Sequence, residues 1–167
     1  MADCEITAKL IYELEGGYSD NNLDRGGRTN HGITWCTYCY FKKEPNLDKF
    51  MKMNYLEWFE IFYHGYWNAC NASNIKNQSV ANLIVDWNFN SGSAINKRVQ
   101  KLLGVKEDGV FGTFTMNALN SADQRKLFDD ILLMRRNYYN MIVTNRPSQK
   151  IFLKGWKSRL NKIKYHE

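Results

Sequence analysis

Helical periodicity runs from residue 5 to Glu15, breaks, and resumes only after Thr34, so this chain must seat a short non-helical insert directly behind its first helix. Ile6, Leu10, Ile11 and Leu14 recur at helical spacing and give residues 5–15 one apolar face. Gly16 and Gly17 follow, suited to a left-handed helix termination. Glu15 is thereby predicted in the last turn, where the negative end of the helix dipole opposes a carboxylate. Burial of that end would act the same way, because desolvation disfavours the charged form. A carboxyl that keeps its proton near neutral pH is what general acid catalysis requires.

The insert is rich in glycine and polar residues. Gly26-Gly27 and Gly32 predict tight turns in a small β-hairpin. It carries the ring of Tyr18, the carboxyls of Asp20 and Asp24, and the hydroxyls of Thr29 and Thr34. One carboxyl at a helix end and a second on a nearby turn is the arrangement used in glycoside hydrolysis. The same residue types also suit an ordinary solvated turn.

Everything downstream reads as helix. Thr34 can cap a short helix through about Lys43, ended at Glu44-Pro45-Asn46, with at most one helical turn over 47–52. Asn54 can cap 55–66, an aromatic-rich helix whose Tyr66 or neighbouring Trp67 could line a sugar-binding groove, although packing is the plainer use of such rings. A polar connection at 71–77 is the best place for a boundary between two lobes, 1–75 and 76–167, packed as one unit. Helices are then predicted over 79–91, 94–103, 113–119, from Ser121 or Asp123 to about 143, and over 149–164. Asp86 lies inside the apolar 79–91 segment and must be paired or exposed on one side, either as a second groove carboxylate or, the plainer reading, as a cap on neighbouring backbone. Asp108-Gly109 with Gly112 before a helix reads first as a turn device.

At 167 residues the chain is long enough to bury a substantial core as one domain or one domain with two lobes. A net charge of +6 and a pI near 9.1 favour anionic partners, cell-wall polymer among them. The basic residues of the tail are spaced as a solvated helix face rather than a nucleic-acid site. Cys36-x-x-Cys39 has no second such pair, and the histidines at 31, 64 and 166 lack ligand spacing, so the four cysteines read as reduced thiols and metal is not expected. No signal peptide and no stretch of membrane-spanning length is visible. The expectation is synthesis in the cytoplasm, no membrane insertion, a monomer, and action on the cell wall after release by a holin or a secretion machine.

The run Glu15-Gly16-Gly17-Tyr18, followed by Asp24-x-Gly26-Gly27-x-Thr29-x-x-Gly32-Ile33-Thr34, resembles the opening motif of glycoside hydrolase family 108, lysozyme-like muramidases of bacteria and phages. Tyr66-Trp67, Asp86-Trp87-Asn88-Phe89-Asn90-Ser91-Gly92, Asp108-Gly109-Val110-Phe111-Gly112 and Phe152-Leu153-Lys154-Gly155-Trp156 stand where later motifs of the family stand. The resemblance implies a mainly α, lysozyme-like, two-lobed fold with a small β-hairpin after the first helix. It implies a second half that binds peptidoglycan, and no cofactor. It makes Glu15 the catalytic acid of a muramidase cleaving the β-1,4 bond from N-acetylmuramic acid to N-acetylglucosamine in peptidoglycan glycan strands. Asp24 stands nine residues after Glu15, the offset of the second carboxylate in phage-type lysozymes, with Thr29 or Thr34 as the accompanying threonine. Tyr18, Tyr66, Trp67, Trp87 and Asn90 are the candidate substrate contacts. Two alternatives stay open: a lytic transglycosylase using the same glutamate, and a non-catalytic wall-binding or secretion-associated module.

Overall fold

A computed structural model describes residues 1–20 and 27–167. The first helix, α1 (Cys4–Leu14), is capped by the Asp3 carboxylate accepting from the Glu5 N–H. Glu15 is its C-terminal cap, with an extended backbone at φ −90° and ψ 148°. Neither Gly16 nor Gly17 has a positive φ, so the helix is closed by an extended cap residue rather than by the expected left-handed glycine.

The insert forms a three-stranded antiparallel sheet, β1 (Ser19–Asp20), β2 (Arg28–Asn30) and β3 (Ile33–Thr34), one strand more than a simple hairpin. Thr29 is its register point, opposite Ser19 on one side and Thr34 on the other. His31 and Gly32 make the two-residue turn between β2 and β3, with φ of 43° and 77°. Positive φ at both positions matches strand twist in a tight hairpin. Asn30 anchors the sheet from beneath, its buried amide donating to the carbonyls of Phe50 (2.7 Å) and Met51 (3.1 Å).

Thr34 accepts from the Thr37 N–H and starts α2 (Trp35–Phe41), as predicted. Then come α3 (Leu47–Met51) and α4 (Tyr55–Phe62), the latter opened by a complete Asn54–Glu57 capping box. A π-helical turn (Tyr63–Trp67) and two short 3-10 turns carry the chain through 74. The polar connection is therefore tightly built: Asn71 reaches the Phe111 carbonyl at 2.9 Å, and Ile75 is buried.

The centre of the molecule is α5 (Gln78–Ser91), capped by Asn77. Every residue from Ser79 to Phe89 is buried. A helix covered on all sides is the hub of a core rather than a face of it. It packs against α1, α6 (Ala94–Leu102) and α8 (Gln124–Asn145). Between α6 and α7 (Thr113–Ser121), the Asp108-Gly109 turn is latched by the Gln100 amide, which takes the Gly109 N–H at 2.7 Å and donates to Asp108 and the Val110 carbonyl. A short 3-10 turn (Pro147–Gln149) leads to α9 (Lys150–Lys162), which lies along α8. No helix among the described residues is long and apolar enough to cross a membrane.

Candidate active site

The sheet and the end of α1 form one wall of a cleft of about 520 Å³, and α9 forms the other. Glu15, Gly16, Gly17, Ser19, Thr29, Gly32 and Thr34 line the first side. Gln149, Phe152 and Trp156 line the second, and Phe89 and Asn90, at the end of α5, the base. Among the described residues Glu15 is the only carboxylate lining this cleft.

Two features seat the Glu15 carboxyl. The first is the absence of a side chain at residue 32. A β-carbon there would lie 2.7 Å from Glu15 Cδ and Oε2 and 2.5 Å from the Phe89 ring. The second is Arg159, whose Nη1 meets Glu15 Oε1 at 2.8 Å, with side-chain exposures of 12% and 16%. Burial lifts the Glu15 carboxyl above its ordinary value of 4.5; the Arg159 charge and hydrogen bond pull the other way without cancelling that lift.

Arg159 is itself held by Asp86. Its Nη2 lies 2.6 Å and its Nε 2.9 Å from Oδ1, and Nε is 3.2 Å from Oδ2. Asp86 also faces Arg135 Nη1 at 2.7 Å, both side chains fully buried. Arg135 Nε donates to the Tyr139 hydroxyl at 2.8 Å. Burial alone would raise the Asp86 carboxyl, but Arg135 and Arg159 hold it below its ordinary 3.8. Negative and positive groups thus alternate from the cleft into the core: Glu15, Arg159, Asp86, Arg135.

Asp86 is therefore an ion-pair hub, neither a groove carboxylate nor a cap on backbone. Thr29 and Thr34 line the cleft, although the Thr34 hydroxyl also caps α2. Asn90 lines it too, its amide donating to the Asp86 carbonyl at 2.9 Å. Tyr66 is half-buried, its ring 4.6 Å from Phe89 and outside the cleft lining; burial raises its hydroxyl pKa, against a hydrogen bond with Thr37 and with a smaller push from the Glu15 charge. Tyr18 is exposed and sets its edge towards Phe50 at 6.2 Å, outside the cleft lining. Trp67 and Trp87 need correcting as substrate contacts. Both are buried to 1% exposure or less; Trp67 donates to Ser73 and Trp87 packs edge-on to Tyr138. Such rings fill the core and offer no face to a sugar. Asp20 pairs with Arg28 at 3.0 Å in an exposed position. Asp24 lies outside the described residues.

The sequence reading missed Arg159, Gln149 and the cleft-facing role of Phe152 and Trp156. Positions 152, 156 and 159 share one helix face, and an aspartate inside an apolar helix asks for cations, so a signal existed. Among the described residues no group of three or more His, Cys, Asp or Glu is placed to hold a metal ion. Cys36 is exposed, Cys39 half-buried, and burial pushes the Cys70 thiol up to about 12.

A helical body with a small sheet, and a buried carboxyl at the cleft between them, defines the lysozyme-like class. The chain belongs to the Glycosyl hydrolase 108 family, whose model matches residues 8–92, and residues 94–161 match the model of a Predicted Peptidoglycan domain. It is a glycosidase-type enzyme that cleaves peptidoglycan. The chain is similar over 96% of its length, and over 90% of the other's, to a protein solved as the structure of Brucella abortus SagA, with a TM-score of 0.83 and 25% identity. No curated protein sequence matches the chain.

Proposed function

We propose that the protein is a lysozyme-type N-acetylmuramidase in which Glu15 protonates the glycosidic oxygen leaving from N-acetylmuramic acid. The observation that carries this reading is a carboxyl shielded from solvent, raised by burial, and opening onto the cleft. Asp24, together with Thr29 or Thr34, is the proposed partner that holds the water or stabilises charge on the sugar. A carboxyl separation of about 6.5–9.5 Å would give inversion at the anomeric carbon, and about 5–5.5 Å retention. The two-lobe division at 1–75 and 76–167, the monomeric state, and release through a holin or secretion machine belong to the same proposal.

The second reading, a lytic transglycosylase, uses the same Glu15 and needs no water-activating partner.

One experiment separates the two. Purified peptidoglycan is digested with wild type and with Glu15→Gln, and the products are read by mass spectrometry. New reducing muramic-acid ends are expected, with a loss of about 10²–10⁴-fold in the variant, the usual worth of a general acid. Ends of the 1,6-anhydro form would replace hydrolysis with transglycosylation. Unchanged release by the variant would remove Glu15 from the chemistry.

A further inference from the structure

We propose that Arg159 is a positioning residue, a clasp shared unequally between Glu15 and Asp86, through which helix α9 aims the Glu15 carboxyl and steadies the carboxylate it becomes after giving up its proton. The inference rests on Glu15 being the acid of the reaction.

Three observations carry it. Arg159 is nearly enclosed, so its charge is not dissipated into water. Its contacts are lopsided: Asp86 receives three close approaches of 2.6–3.2 Å, Glu15 one of 2.8 Å. Asp86 in turn is paired with Arg135 at Oδ2, so the Arg159 guanidinium has an anchor that does not depend on the state of Glu15.

This asymmetry fits the catalytic cycle. A lone arginine against Glu15 would hold the carboxylate ionised and spoil an acid. An arginine largely neutralised by Asp86 leaves burial dominant, so the acid can load its proton. When the proton passes to the glycosidic oxygen, Arg159 Nη1 already lies 2.8 Å from Oε1 and meets the new negative charge. Stabilisation aimed at charge that develops during reaction is the kind that speeds it.

Among the described residues the ionisable groups around Glu15 are these. Arg159 comes from α9, Asp86 from α5, with Arg135 and Tyr139 of α8 behind it. Tyr66 comes from the π-helical turn. The β2–β3 turn presents Gly32, and its His31 ring is stacked instead on Tyr12 at 4.1 Å.

The test reads protonation directly, through the carboxyl ¹³C signal of Glu15 in labelled, full-length protein. In Arg159→Gln the midpoint should rise by about one unit or more, as expected when a close opposite charge is removed. In Arg159→Lys, which keeps the charge but not the fork, it should rise by less than half as much. The descending limb of the pH–rate profile should move in the same direction, with kcat lowered and KM nearly constant. In wild type the Arg159 Nη signals should shift with the Glu15 midpoint, a reading that needs no variant. Nη signals indifferent to that titration, or the same Glu15 midpoint in a folded Arg159→Gln protein, would overturn the clasp. Neither magnetic-resonance reading depends on turnover. Retained cleavage by Glu15→Gln would therefore sink the proposed function without touching these two measurements, and the converse also holds.

Discussion

Gly32 and Glu15 are locked by a missing atom: a β-carbon at residue 32 would sit 2.7 Å from the Glu15 carboxyl carbon, closer than non-bonded atoms tolerate. The backbone of Gly32, at φ 77°, disfavours any L side chain on separate grounds. Gly32→Ala should therefore cost about 1–2 kcal/mol from the left-handed backbone alone. It should also push the carboxyl off its seat, with a loss of activity of about 10²-fold. Urea unfolding and peptidoglycan release on the same preparation check both. A variant of unaltered activity would mean the Glu15 seat is looser than the geometry implies.

The Glu15 carboxyl also leaves a signature in stability against pH. Its folded-state pKa lies above the ordinary 4.5, so the folded protein holds this proton where the unfolded chain has lost it. Stability from this group is full below about 4.5 and falls as pH rises through the folded value. Relative to wild type, Glu15→Gln should gain stability across that window and show a constant difference below it. Paired urea titrations from about pH 4 to pH 8 give the curve, because the slope follows the difference in bound protons. A difference that shrinks with rising pH would reverse the sign assigned here.

Asp86 has the opposite sign. Its folded value is depressed, so its contribution is present above about 3.8 and disappears as pH falls below that. Asp86→Ala should cost about 3–5 kcal/mol, since it strands the fully enclosed Arg135. Replacing Asp86 and Arg135 together with apolar residues should cost less than the sum of the single changes. Calorimetry of the four proteins of that cycle supplies the comparison, and simple additivity would deny the coupling.

The Asp108-Gly109 turn is held by the side-chain amide of Gln100 from α6. Gln100→Ala removes buried hydrogen bonds to several partners and should destabilise by about 2–3 kcal/mol. Turnover at a temperature well below unfolding should stay near wild type, because this latch is separate from the cleft. Loss of wall binding without loss of stability would instead make the turn a contact surface for substrate.

Element existence was legible from the sequence because it depends on local signals. Periodicity and caps such as Thr34, Asn54 and Asp123 place helix starts within a residue or two of where they form. The resemblance in the opening motif singled out Glu15, the carboxyl that the cleft presents. What was not legible depends on packing between distant segments. Trp67 and Trp87 carry the same letters as a sugar-binding ring, and only the all-round burial of α5 and the turn before it shows them to be core. Arg159 hid among the lysines of a basic helix, since the partner that defines it lies 73 positions earlier.

The chain of alternating charges has a consequence for inheritance. Glu15 and Asp86 fall inside the hydrolase match, and Arg135 and Arg159 inside the peptidoglycan match. A gene fusion that joined this first segment to a foreign second one at Gly92 would strand two acids unless the newcomer brought arginines to the same places. Exchanging either segment alone should therefore yield unstable hybrids more often than their separate family matches suggest.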